Sequence, residues 1–342
     1  MAYVAPREAP PLAGRQATTH VTGVLTLEMQ RRVLETTLPS ITVEVDRSLI
    51  RDFAEAIGDP NPLWNDEAAA RRSRYGGLIA PPTFCRVLGF IAGGSHTPHW
   101  ELPGEVQVDG GTEWDLTEPL RPGDRITVTR RTKEVFERQG RSGPLVFIRT
   151  ETELINQFGV QVCRQLSTAI RYTPRADDRS RNQLTERHSE PREKLPVQSP
   201  NAKIDWKSIE PGTTLPALSK CPSTRDLVRY AGAAKDYSEI HYDETFAKRV
   251  GLPGVIVHGA LKAAYLGQLV TDWIGEAGTI KRLGCQHRAI DRPGELLVCG
   301  GRVTGLSRHG PNTVAECEIW LGSGSNNERS TPGHATVEFP GH

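Results

Sequence analysis

Apolar and polar residues alternate along several stretches of the chain, but in two places they condense into apolar blocks, Pro82–Ala92 and His258–Trp273. In the second block Gly259, Ala260, Ala263, Ala264 and Gly267 share one helical face, while Leu261, Tyr265, Leu266, Leu269 and Val270 cover much of the rest. A helix that is apolar nearly all round is a buried one, and small residues let a sheet approach it closely. Period-two alternation predicts strands at Ile41–Val45, Arg125–Arg131, Leu145–Leu154, Gln161–Arg171, Leu296–Val303 and Thr313–Leu321. A further helix is expected around Ser48–Ile57. One buried helix against curved antiparallel strands, twice over, is an α+β arrangement.

The two halves repeat each other. FAEAIGDPNPLWNDEAAA (53–70), YGGLIAPPTFCRVLGFIAGG (75–94) and LRPGDRITVTRRTKEV (120–135) are followed, in the same order, by RYAGAAKDYSEIHYDETFAKR (229–249), GLPGVIVHGALKAAYLGQLV (251–270) and DRPGELLVCGGRVTG (291–305). Asp59 and Asp236 stand 177 positions apart, and Pro122-Gly123 and Pro293-Gly294 stand 171 apart. Near-constant offsets over three blocks point to an internal duplication. Between the halves lies a charged, proline-containing stretch that cannot offset its ordering entropy by burial. The expected organisation is an arm over 1–36, a first domain over 37–173, a linker over 174–204 and a second domain over 205–342.

A chain of 342 residues suits two such domains. Lys plus Arg number 42 and Asp plus Glu 41, so the net charge of +1 gives no general attraction to nucleic acid or anionic lipid. No stretch approaches the roughly 20 apolar residues of a membrane span. The first residues lack the apolar core of a secretion signal, so a cytoplasmic protein is expected. The six cysteines (Cys85, Cys163, Cys221, Cys285, Cys299, Cys317) are scattered without a C-x-x-C pair and read as idle thiols in a reducing compartment. Neither G-x-G-x-x-G, a Walker loop nor G-x-S-x-G occurs.

Two short segments carry candidate chemistry. Asp236 and His241 lie five residues apart; on a continuous helix they would diverge, whereas an irregular loop lets them converge. Val257-His258-Gly259 begins the second apolar block, where helix N–H groups lack internal partners and a glycine permits close approach to the backbone. Each has a plain alternative: Asp and His beside a turn usually cap or solvate it, and a glycine can serve packing alone. His96 and His99 read as a polar turn, and Arg282, Arg288 and Arg292 as solvated cations. Zinc is a poor fit, because the Asp236–His241 segment holds no second His or Cys at ligand spacing.

Asp-x-x-x-x-His followed by Val-His-Gly resembles the hydratase-2 motif of MaoC-like (R)-specific enoyl-CoA hydratases. The resemblance covers roughly residues 205–320. It implies a hot-dog fold, with Asp236 and His241 activating water and the Gly259 N–H serving as oxyanion-hole donor. Ser238, where the family has Asn, and His258 are implied to touch substrate. Lys235, Ser238 and Glu239 depart from the family's Gly, Asn and Pro, which puts the loop's conformation in question. The first half, through Gly58-Asp59-Pro60-Asn61-Pro62-Leu63-Trp64 and Gly77–Phe84, resembles the FAS1-like dehydratase domain often fused ahead of a MaoC domain. There Trp64 replaces the catalytic His, and Pro82, which has no N–H, replaces the glycine. That half should be silent, completing a pseudo-dimer and accommodating the acyl chain.

The implied fold is thus a double hot-dog. The implied reaction is reversible hydration of a trans-2-enoyl thioester, on CoA, to a (3R)-hydroxyacyl thioester in fatty-acid metabolism. Water is the co-substrate, so neither cofactor nor metal is expected. Rivals are a 3-hydroxyacyl-ACP dehydratase, a mesaconyl-type CoA hydratase, a hot-dog thioesterase and a non-catalytic acyl-thioester-binding protein. Pairing of hot-dog units also makes a homodimer conceivable.

Overall fold

The computed structural model of the chain describes residues 23–93, 100–140, 143–174, 206–324 and 329–341. Most of the expected linker, and the His96–His99 turn, lie outside the described residues.

The first half runs α1 (Leu27–Glu35), β1 (Ile41–Glu44), α2 (Arg47–Ala56), α3 (Pro62–Asn65), α4 (Glu67–Arg72), a 3-10 turn at Pro82–Phe84, α5 (Cys85–Gly93), β2 (Val106–Leu116), β3 (Arg125–Gly140), β4 (Gly143–Ile155) and β5 (Gln161–Tyr172). The second runs β6 (Thr214–Lys220), α6 (Thr224–Ala234), a 3-10 turn at Glu239–His241, α7 (Glu244–Arg249), α8 (Gly259–Ile274), β7 (Thr279–Gln286), β8 (Leu297–His309), β9 (Asn312–Ser323) and β10 (Thr331–Phe339). After α1 both follow the same plan of a strand, a helix, short helical turns, a central helix and four strands. The strands form one ten-stranded sheet, β1-β3-β4-β5-β2-β7-β10-β9-β8-β6, which reads alike from either end.

The halves join at its centre. β2 and β7 pair antiparallel from Gly111 opposite Gln286 to Asp115 opposite Arg282. Gly111 has φ +137, and a Cβ there would strike the Cys285 carbonyl, so the joint requires glycine. One buried apolar cluster runs through both halves, from Ile50, Phe53 and Phe84 to Leu266, Val270 and Phe339.

The two central helices differ in length. α8 has 16 residues, nearly all buried, and its Gly267 lies close to Thr83 of the first half and Leu283 of β7. α5 has nine. The segment read from sequence as an arm in fact contains α1, N-capped by Thr26. Val33 of α1, with Leu25, packs on Val135, Val146 and Ile148, and Val135 lies where β3 runs on past Arg131, the end of the strand that the alternation predicts.

Candidate active site

The residues singled out in the second half come together. α6 begins with a full capping box, Ser223 with Asp226, and ends at Lys235 in the left-handed conformation, φ 62 and ψ 27. In the first half Gly58 takes the same φ of 62 at the end of α2. Lysine therefore adopts the glycine turn, and the departure from the family motif leaves the loop's course intact. The chain then doubles back: the Ser238 N–H hydrogen-bonds the Asp236 carboxylate, as the Asn61 N–H does that of Asp59 at 3.0 Å. The 3-10 turn that follows delivers His241, whose Nδ1–H donates to the Ile256 carbonyl at 2.8 Å. That bond fixes the tautomer and leaves Nε2 with its lone pair.

His258, fully buried, is the N-cap of α8. Its ring stacks on that of His241, centroids 3.7 Å apart and planes 22° apart, and meets Tyr230 edge-on at 4.9 Å. Neither ring nitrogen of His258 makes a well-formed hydrogen bond. Gly259 is the first residue of α8, so its N–H has no partner within the helix, and among the described residues it has none elsewhere. A Cβ on Gly259 would lie 2.7 Å from Cδ2 and 2.8 Å from Nε2 of His287, and 3.1 Å from Cβ of Asp109. Only glycine fits between that ring and the helix.

Burial sets the electrostatics. It raises the Asp236 carboxyl, against the opposing charges of His241 and Arg86, and it lowers the His241 imidazole, against Asp236. The acid and the base thus move toward each other. Burial, then the neighbouring His241, pushes His258 well below the usual imidazole range. His287 is pushed down to about 4, again chiefly by burial.

Asp236, His241 and His258 each offer a ligand atom within 4.8 Å of the others, so the fold brings to the Asp236–His241 segment a second histidine that the segment itself lacks. Stacked imidazoles, however, send their in-plane lone pairs side by side rather than onto a common point. The set suits proton transfer better than tetrahedral coordination.

These groups border a cavity of about 670 Å³. Asp236, Ser238, His241, Gly259, Lys262 and His287 line it from the second half; Arg86, Asp109, Arg130 and Gln165 line it from the first. Of the residues expected to touch substrate, exposed Ser238 is on the wall, whereas His258 stands behind His241. Arg86 pairs with Asp109 at 3.0 Å in the wall. Lys262 and Asp291 form a buried pair at 2.7 Å, to which the Ser330 hydroxyl also donates at 2.7 Å. The Asp291 carbonyl accepts from the Val257 N–H at 2.9 Å, tying this pair to the start of α8. None of these wall residues carried a sequence signal, because each becomes functional only beside residues far away in the chain. Arg282 is engaged with Asp115 across the central joint at 3.1 Å, while Arg288 lies on the cavity wall.

The first half has no equivalent. Asp59 is buried, with its carboxyl raised by burial, and Trp64 is buried beside it. The space next to Trp64 and Pro82 amounts to about 90 Å³.

Each half matches a different family model. Residues 35–165 match the model of the FAS1-like dehydratase domain region, and residues 193–314 that of the MaoC-like domain. The chain joins a FAS1-like dehydratase region to a MaoC-like domain, and it belongs with the UPF0336 proteins. Among curated relatives it resembles a UPF0336 protein of Saccharopolyspora erythraea, 33% identical over 134 residues, 39% of this chain and 83% of that one. A UPF0336 protein of Streptomyces avermitilis is 44% identical over 93 residues, 27% of this chain and 62% of that one. The chain therefore spans somewhat under two thirds of that relative. The 3-oxo-4,17-pregnadiene-20-carboxyl-CoA hydratase alpha subunit of Mycobacterium tuberculosis is 39% identical over 102 residues, 27% of this chain and 33% of that one. Among solved structures a MaoC-like dehydratase superposes with TM-score 0.70 at 21% identity, covering 90% of this chain and 98% of that one. A double-hotdog protein of Mycobacterium tuberculosis gives 0.61 at 14% identity, covering 89% and 96%. The fold is the double hot-dog. Among the described residues no helix is long and apolar enough to cross a membrane.

Proposed function

We propose that the protein adds water reversibly across the 2,3 double bond of a trans-2-enoyl thioester, with one active site in its second half. The observation that carries this is the convergence of Asp236, His241 and the free Gly259 N–H on one cavity. The thioester carbonyl oxygen accepts from Gly259 N–H at the positive end of α8, which polarises the conjugated system and makes C3 electrophilic. His241 Nε2, held as an acceptor by the Nδ1–H bond to Ile256, takes a proton from water as its oxygen bonds to C3. The raised Asp236 carboxyl delivers a proton to C2. The imidazolium then returns its proton to the carboxylate, and both groups are reset. Dehydration is the reverse path.

CoA as carrier is supported by the name of the mycobacterial relative, a CoA hydratase subunit. The (3R) configuration rests on the family resemblance. Substrate lies on Ser238, while His258 holds the His241 ring from behind. The two halves pair within one chain through β2 and β7, so the site is complete without a second copy.

The test is hydration of crotonyl-CoA and longer enoyl-CoAs, followed by loss of the conjugated enoyl absorbance. Asp236→Asn and His241→Gln should each lose about 10²–10⁴ in rate while remaining folded. Parental rates in both variants would refute the assignment, and release of free thiol instead would mark a thioesterase.

A further inference from the structure

The reaction as proposed leaves one buried charged cluster of the second half unused. Lys262 Nζ donates to the Asp291 carboxylate at 2.7 Å and to the Ala289 carbonyl at 3.0 Å. The Ser330 hydroxyl donates to the same carboxylate oxygen at 2.7 Å. Both charged side chains are only 3% exposed, so each has given up its hydration. Apolar residues of similar volume usually hold a fold as well as such a pair, or better. Lys262 is also the fourth residue of α8, where the helix dipole disfavours a cation.

The internal repeat provides its own control. The offset of 177 that joins Asp59 to Asp236 sets Lys262 against Cys85, and the offset of 171 that joins the two Pro-Gly turns sets Asp291 against Leu120. The backbone confirms the match. The Val257 N–H donates to the Asp291 carbonyl at 2.9 Å, as the Ala80 N–H does to that of Leu120 at 2.9 Å. The Arg288 N–H donates to the Ser330 carbonyl at 2.9 Å, as the Thr117 N–H does to that of Val162 at 3.1 Å, which sets Ser330 against Val162. One backbone frame is thus built twice, around buried Cys85, Leu120 and Val162 in the first half and around buried Lys262, Asp291 and Ser330 in the second. The frame does not require the charges. They stand in the half that has His241 and the Gly259 N–H, and are missing where Trp64 and Pro82 take those places.

The cluster is also directed. Lys262, Ala289 and Ile290 line the cavity with Gly259, whereas buried Asp291 is off its wall, so the positive end of the pair is the one nearer the cavity. Asp291 grips the start of α8 twice, by its carboxylate on Lys262 and by its carbonyl on Val257, two residues before Gly259. The Lys262 N–H closes the first turn of the helix on the His258 carbonyl at 3.1 Å. Gly259 is therefore held from both sides. We propose that Lys262, Asp291 and Ser330 are positioning residues for the reaction: they lock the amino end of α8, with the ammonium toward the cavity, so that the Gly259 N–H meets the thioester oxygen where it gains negative charge. This rests on the enoyl-thioester reading and extends it from the reacting groups to their support.

The test gives the second half the apolar chemistry of the first, in a full chain carrying Lys262→Met, Asp291→Leu and Ser330→Val together. Replacing all three leaves no buried charge without its partner, which a single substitution would. Parent and combined variant are compared in thermal melts and in hydration of an enoyl-CoA across a range of pH. The expected melting temperature is at or above the parent's. The expected kcat is lower by about 10- to 100-fold with KM within about twofold, the mark of an interaction made in the transition state. The limbs of the pH–rate profile stay in place, because the charges acting on Asp236 and His241 are each other's and those of Arg86 and Asp109. Parental kcat in the combined variant overturns the inference. So does a rise in KM alone, which would make the cluster a substrate contact, and so does a melting temperature well below the parent's, which would make it structural support. Displaced pH limbs would attach it to the proton relay instead and overturn it too. Each of these results leaves the hydratase standing, whereas a parent that hydrates no enoyl-CoA ends both readings.

Discussion

At the residue scale the site depends on a few atoms whose surroundings are dry. Burial brings the Asp236 carboxyl and the His241 imidazole closer in strength, which suits the reversible proton relay proposed for them. Gly259 is constrained on the face opposite its N–H. Replacing it by alanine pushes on the His287 ring and on Asp109, and we expect Gly259→Ala to lose about 10²-fold in kcat/KM, the cost of a roughly 1 Å misplacement, measured by enoyl-CoA hydration. His287 also makes stability pH-dependent. Its folded pKa of about 4 lies below its unfolded value near 6.5, so the unfolded state binds the proton first. The stability that neutral His287 contributes is complete above roughly pH 7 and is lost as the pH falls toward 4. On this account His287→Phe reduces the loss of stability between pH 7.5 and 5 by about 2 kcal/mol, read by denaturant unfolding at each pH. The aspartate, the histidine and the glycine were legible in the sequence because motif spacing carries them. His287 was not, since a single histidine in a strand end says nothing until the helix it packs on is known.

At the element scale the loop between α6 and α8 keeps its path despite an altered sequence. Lys235 occupies the left-handed region where Gly58 stands in the repeat, at a cost of about 1 kcal/mol for a residue with a Cβ. Lys235→Gly should therefore raise unfolding stability by about 1 kcal/mol, checked by denaturant titration. Strands with clean alternation, β3, β4, β5, β8 and β9, and both apolar helices were foreseen from pattern. Edge strand β6 and the strands around the central joint, β2, β7 and β10, were not. β2 carries Asp109-Gly110-Gly111 and a register shift there, β6 contains Pro216, and β10 contains Pro332-Gly333, each of which interrupts the period of two. α1 escaped because its single buried residue, Val33, leaves a short, mostly exposed helix with little apolar pattern.

At the scale of the whole molecule the duplication has been used asymmetrically. Both halves keep the aspartate turn, but only the second completes it with an imidazole and a free helix N–H. The first replaces these with Trp64 and a proline-led 3-10 turn, and pairs them with a space of about 90 Å³ rather than about 670 Å³. Its shorter central helix and donor-bearing strands instead wall the cavity that Asp236, His241 and Gly259 border. The repeat in the sequence showed where the two halves differ, at Trp64 and Pro82 against His241 and Gly259, while the wall itself, drawn from Arg86, Asp109, Arg130 and Gln165, required the joined sheet to bring the residues together. The most direct test of one active site in a two-fold frame is to compare its matched aspartates. Asp59→Asn and Asp236→Asn are assayed side by side for kcat/KM on an enoyl-CoA that the parent hydrates. The account predicts parental turnover, within about twofold, for Asp59→Asn and a loss of about 10²–10⁴ for Asp236→Asn. Equal losses in the two variants, or a loss confined to Asp59→Asn, would contradict it.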